Sequence, residues 1–116
     1  MPFDDQISRI SKFAADRDWE QFHSVRNLIL ALVGEVGELA EIVQWVSDEK
    51  ISEFFGDPKN QARFEEELAD VLIYLLRLAS IRSIDLEGAI KRKIESNEEK
   101  YPVAKSKGSS KKYTEM

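Results

Sequence analysis

Apolar positions in this chain recur at three- and four-residue intervals over four long stretches, and nothing alternates as a half-buried strand does. Phe3, Ile7, Ile10, Phe13 and Ala14 form a helical stripe that predicts a first helix from about Asp4 to Asp16. The aromatic segment Asp18 to His23 (DWEQFH) interrupts it. A second helix is predicted from Ser24, an N-cap residue, to Val46. The connection SDEKISEFFGDPKN follows; Ile51 to Phe55 predict a short helical turn, and Gly56-Asp57-Pro58 reads as a breaker. A third helix is predicted from about Gln61 to Arg82. The fourth starts at the N-cap Asp85 and runs to Lys100, where Tyr101-Pro102 stops it. The pattern therefore predicts an all-α, four-helix bundle over residues 1–103. Residues 104–116 (AKSKGSSKKYTEM) predict a flexible Lys/Ser-rich tail.

The second and third helices carry acidic residues where apolar ones belong. At roughly 100° per residue, Glu35 falls inside the apolar arc of Leu28, Leu32, Val36, Leu39, Val43 and their neighbours. Glu38 lies on the edge of that arc, and Glu41 points away. On the third helix, Glu67 falls inside the arc of Phe64, Leu68, Val71, Leu75 and Leu78, with Asp70 on its edge. An ionised carboxylate on a buried face is costly unless something neutralises it. If the two helices are neighbours, four carboxylates converge, and protons, basic side chains or metal ions must offset their repulsion. An all-oxygen cluster selects hard cations such as Mg²⁺ or Mn²⁺. The competing explanation is a set of interhelical salt bridges with Arg26, Arg77 or Lys93 as the cation. A di-iron bundle needs two Glu-x-x-His motifs; this chain has one histidine, His23, and no such motif.

Composition narrows the partners. The 116 residues suit one domain, and with no cysteine there is neither a disulfide nor a thiolate metal site. No apolar run approaches the roughly 20 residues of a membrane span, and MPFDDQISRISKF lacks the apolar core of a signal peptide. A cytoplasmic location is the expectation. Net charge is −5, split between −8 over residues 1–103 and +3 over the last thirteen. A body this acidic is not expected to bind a nucleic-acid polymer through its bulk field. Phosphates remain accessible to it through bound divalent cations, which reverse the local sign.

Glu35-x-x-Glu38 followed by Glu67-x-x-Asp70 resembles the metal motif of the all-α nucleoside triphosphate pyrophosphohydrolases, the MazG-like family. The wider match, through residues 13–45, EELADVLIYLLRLA (66–79), the Lys93/Asn97/Tyr101-Pro102 segment and KKYTE in the tail, resembles its dCTP-directed branch. The resemblance implies a MazG-type fold, hydrolysis of (d)NTP to (d)NMP and pyrophosphate, and Mg²⁺ held by Glu35, Glu38, Glu67 and Asp70. It implies a role in nucleotide-pool sanitation with dCTP or a modified dCTP as substrate. The chemistry is consistent: phosphoryl transfer needs charge neutralised on the non-bridging and leaving oxygens and an activated water. A carboxylate not fully engaged as a ligand can take the water's proton, and Glu35 and Glu38 are both candidates for that base.

Other positions follow the resemblance. Lys93 and Asn97, four apart and on one helix face, are implied phosphate contacts, while Lys100 stands where relatives often have Arg. Tyr101 either packs against sugar or phosphate or anchors the helix end. Tyr74, one turn after Asp70, is an implied wall for a deoxyribose. Trp19 and Trp45 are implied base-pocket residues, with a bland alternative as core or interface aromatics. His23 is read as a contact to base or phosphate rather than as the general base. The apolar arcs span roughly 180°, wider than the ~100° of a surface helix, so a homo-oligomer is expected, and the resemblance implies a dimer-based assembly, a tetramer. The alternatives are a dUTP-directed or broad-specificity relative and a non-catalytic helical module that binds a protein.

Overall fold

The computed structural model describes residues 2–112 and residue 114. Tyr113, the centre of the KKYTE motif, lies outside the described residues. Among them the secondary structure is all helical. The elements are α1 (Asp4–Asp16), α2 (Val25–Val43), α3 (Ile51–Phe55), α4 (Pro58–Ile81), α5 (Leu86–Lys100) and α6 (Val103–Ser106). Single 3₁₀ turns at Glu20–Phe22 and Asp48–Lys50 precede α2 and α3. The chain forms two compact units, residues 1–83 and 84–116.

Local chemistry accounts for the helix boundaries. Ser24 Oγ accepts from the Asn27 amide at 3.1 Å, and Asp85 Oδ1 accepts from Gly88 N at 3.2 Å, so both expected N-caps are in place. The third long helix starts earlier than expected, at Pro58 rather than near Gln61. Asp57 caps the Lys59 amide at 2.9 Å, and Pro58 occupies the first turn, where a missing N–H costs nothing. The Gly-Asp-Pro run is thus a start signal as well as a break. Helix α2 ends at Val43, short of the expected Val46. There the Val46 amide bonds back three residues to the Val43 carbonyl at 2.9 Å, a tight closing turn. The expected tail opens with ordered structure, since Pro102 precedes the one-turn helix α6.

In the first unit α2 packs on α4, and α1 and α3 pack on α4 as well. Ala14 of α1, Leu28 and Ile42 of α2, and Leu76 and Ala79 of α4 are buried. Truncating a leucine in such a site typically costs about 2–5 kcal/mol. The remaining arc residues are only half covered. Ile29, Val33, Val36, Leu68, Leu72 and Leu75 are between 37% and 63% exposed. The wide apolar faces read from the sequence therefore exceed what the single chain buries.

Candidate active site

Packing α2 on α4 brings together the acidic positions of both. Glu35, Glu38 and Glu67 each present a carboxylate oxygen within 4.8 Å of the others. Asp70 is not part of that triangle, but its charge reaches Glu35, Glu67 and Tyr74. Among the described residues no Lys or Arg pairs with these four, so the salt-bridge explanation finds no support. Oε2 of Glu35 and Oε2 of Glu67 are buried without a hydrogen-bond partner among the described residues. A buried acceptor left unmade costs about 1–3 kcal/mol, and more when charged. Glu35 is consequently pushed up to about 7, first by burial and then by repulsion from Glu38 and Asp70. Glu67 is raised for the same leading reason, burial, and by Glu38 and Asp70. Two orphaned buried oxygens in a cluster of hard donors fit a hard divalent cation. The acidic cluster is a site that could hold a metal ion.

Beside the cluster lies a cleft of about 490 Å³ whose lining includes Glu35 and Asp70. Its aromatic wall is built locally. Asp18 adopts a left-handed conformation, φ 56°, which aspartate tolerates better than most residues. That reversal ends α1 and lets the Trp19 amide bond to the Ala14 carbonyl at 2.9 Å. Trp19 then stands edge-on to Phe13, ring centroids 5.5 Å apart, while the Arg17 guanidinium covers Phe13 at 3.6 Å. Asn27 holds the following segment by donating to the Phe22 carbonyl at 3.1 Å. Tyr74 lines the cleft too, and burial followed by the charges of Glu35 and Asp70 raises its pKa. The phenol therefore stays protonated and can donate a hydrogen bond.

His23 and Arg77 also line the cleft; on α4 Arg77 stands seven residues, about 10.5 Å of helix rise, beyond Asp70. Arg77 is 7% exposed. It donates from Nε to His23 Nδ1 at 3.1 Å and from a terminal nitrogen to Ser11 Oγ at 3.3 Å.

Of the residues singled out in the sequence, the first unit thus gathers Trp19, His23, Glu35, Asp70 and Tyr74 around one cleft, with Glu38 and Glu67 joined to Glu35. Trp45 is not among them. It is 90% exposed and lines a separate shallow recess with Lys50, Phe54 and Asn60. Lys93, Asn97 and Tyr101 belong to the second unit; Lys93 and Asn97 are exposed on α5, and Tyr101 follows its last residue. Sequence reasoning missed the contribution of α1, whose Gln6, Arg9 and Phe13 line the cleft. It also weighed Arg77 only as a possible carboxylate partner.

A family model described as the MazG-like family matches residues 31–116, which include all four carboxylates. The chain belongs to the MazG-like family. Among proteins similar to this MazG-like chain, dCTP pyrophosphatase 1 of Rattus norvegicus is 54% identical over 106 residues, 91% of this chain and 62% of that one. The Homo sapiens protein of the same name is 51% identical over the same shares. The chain therefore spans less than two thirds of the length of these relatives. A crystal structure of a pyrophosphatase from Archaeoglobus fulgidus superposes with a TM-score of 0.81 at 38% identity. That match covers 88% of this chain and 94% of the other, and it supports the all-α, MazG-like fold. Among the described residues no helix is long and apolar enough to cross a membrane.

Proposed function

We propose that this chain is a divalent-metal-dependent nucleoside triphosphate pyrophosphohydrolase, acting on dCTP or a modified dCTP in the cytoplasm to give the monophosphate and pyrophosphate. The observation that carries the reading is the cluster of Glu35, Glu38 and Glu67, with its two unsatisfied buried oxygens, opening onto a cleft lined by aromatic rings. Similarity to proteins named dCTP pyrophosphatase supports the choice of substrate.

Glu35, Glu38, Glu67 and Asp70 would hold Mg²⁺. When bound, the ion neutralises charge on the triphosphate and lowers the pKa of water. Water adds at phosphorus, the bond between the α- and β-phosphates breaks, and the leaving oxygen departs with its electron pair. The proton released by the water goes to a carboxylate oxygen of Glu35 or Glu38. Trp19 and Phe13 give the base an aromatic face. Tyr74 walls the sugar, where an aromatic ring crowds a 2′-hydroxyl and so favours deoxynucleotides. By resemblance Lys93, Asn97 and Tyr101 are further candidates for phosphate contact, whereas Trp45 lines a separate recess and is given no role at the base.

The half-exposed apolar faces of α2 and α4 support self-association into a dimer-based homo-oligomer. Residues 1–103 form the catalytic domain, with 104–116 as a tail. Pyrophosphate release measured across the four dNTPs, with Mg²⁺ and with a chelator, tests the proposal. Metal-dependent release that is fastest with dCTP is the expected result; no release from any dNTP would overturn it.

A further inference from the structure

Arg77 is a buried guanidinium that, among the described residues, has no carboxylate against it. Its hydrogen bonds go to neutral acceptors, His23 Nδ1 at 3.1 Å and Ser11 Oγ at 3.3 Å, and Ser11 Oγ lies 3.5 Å from Ser80 Oγ. A guanidinium cannot lose its proton in a protein, so Nε always donates. The imidazole nitrogen that faces it must therefore be the acceptor. A neutral imidazole that accepts at Nδ1 carries its hydrogen at Nε2.

We infer that Arg77 is a positioning residue that locks His23 in the neutral, Nε2-protonated tautomer, so that the ring offers a fixed donor to the pyrimidine edge and selects cytosine over uracil. The inference rests on the proposed reading of the cleft as a nucleotide site. With phosphates at the carboxylates, a base lies further along α4, toward the end where Arg77 and His23 line the cleft. Among the described residues Nε2 has no hydrogen-bond partner, so its donor is free for a ligand. Cytosine N3 is an acceptor. Uracil and thymine carry a proton at that position, so donor would meet donor and both would stay unpaired. Sites built around one hydrogen bond reject the analogue that cannot make it more strongly than apolar pockets reject a changed shape. Burial and the Arg77 charge both lower the pKa of His23, against an opposing pull from Glu20, which agrees with a neutral ring.

The chain has a single histidine, so ¹⁵N-histidine labelling of the full chain gives one unambiguous pair of ring resonances. The free protein should show Nδ1 unprotonated and Nε2 protonated. Adding dCMP should move the Nε2–H resonance downfield, and dUMP should leave it in place. Arg77→Met should mix the tautomers and lower the dCTP-to-dUTP ratio of kcat/KM about five- to tenfold, the worth of one net hydrogen bond, chiefly through KM. Ser11→Ala, which removes only the second anchor, should shift both readouts in the same direction by less. A wild-type Nδ1 that carries the proton would overturn the inference. So would an Arg77→Met chain that keeps both the tautomer and the dCTP preference. If Arg77→Met fails to fold, the wild-type tautomer and the dCMP and dUMP titrations decide alone. A chain that hydrolyses no nucleotide would defeat the proposed function, while the Arg77 lock would still stand or fall on those resonances.

Discussion

The cleft has polar groups at two places along α4, and they are built in opposite ways. Around Glu67 and Asp70, like charges crowd together, two buried oxygens have no partner, and Glu35 is driven up to about 7. Around Arg77, a single charge is buried just as deliberately, yet its donors reach His23 and Ser11. Burying a charge is costly in both places. The second cluster offsets that cost from within the chain. The first leaves it outstanding, which is stable only if something from outside supplies the positive charge. The difference separates a group that holds a neighbour in place from a group that receives a ligand.

The comparison breaks most visibly at the carboxylates. Glu38→Gln and Asp70→Asn should each lower Mg²⁺-dependent turnover by about a hundredfold or more, since each removes a charge the ion requires. The far-ultraviolet circular dichroism of both should stay that of the wild type, because relieving repulsion does not unfold a helix pair. Near-wild-type turnover in both variants would show that the acidic cluster is not a metal site. A core change behaves in the reverse sense: Leu76→Ala should cost about 2–5 kcal/mol in denaturant unfolding without a specific effect on metal dependence.

A smaller effect sharpens the same contrast. In the folded chain burial and the neighbouring carboxylates push Glu35 up to about 7, against 4.5 for an ordinary glutamate. Between those values the folded state holds more protons than the unfolded state, so this group's contribution to stability falls as pH rises through the window. In a chelator, Glu35→Gln should therefore melt above the wild type at pH 8, and the gap should close at pH 4.5 and below. His23 is present in both chains and cancels from the difference. A gap that is the same at both pH values would mean that Glu35 ionises freely. The smallest effect is expected from the tail. Deleting residues 104–116 should move the thermal midpoint by only a few degrees, because α6 buries no residue. A larger fall would show a docked tail.

Much of this was legible in the chain itself, for identifiable reasons. Helix α1 has the bounds its apolar stripe predicts, Asp4–Asp16, and Ser24 and Asp85 cap where their side chains predict. Glu35 and Glu67 stood out because a carboxylate inside an apolar arc has a physical cost, and α2 packing on α4 brings them together. Three things stayed hidden. Pro58 acts as both a breaker and a first-turn residue, and only the Asp57 cap settles which. Trp45 looks like Trp19 in sequence, yet the early end of α2 carries it to a different recess. Arg77 sits at a helical position that pattern alone assigns to an ion pair; its partners, Ser11 and His23, are 66 and 54 residues away in sequence. Only the packing of α1 and the DWEQFH segment against α4 reveals them.

On the proposed function, the acidic cluster and its cleft cleave a nucleoside triphosphate between the α- and β-phosphates. Phosphorus NMR of dCTP incubated with the full chain and Mg²⁺ tests it most directly. dCMP and pyrophosphate should appear together and in equal amounts, and neither should appear when the metal is chelated. Release of dCDP with orthophosphate, or hydrolysis that continues undiminished in the chelator, would contradict it.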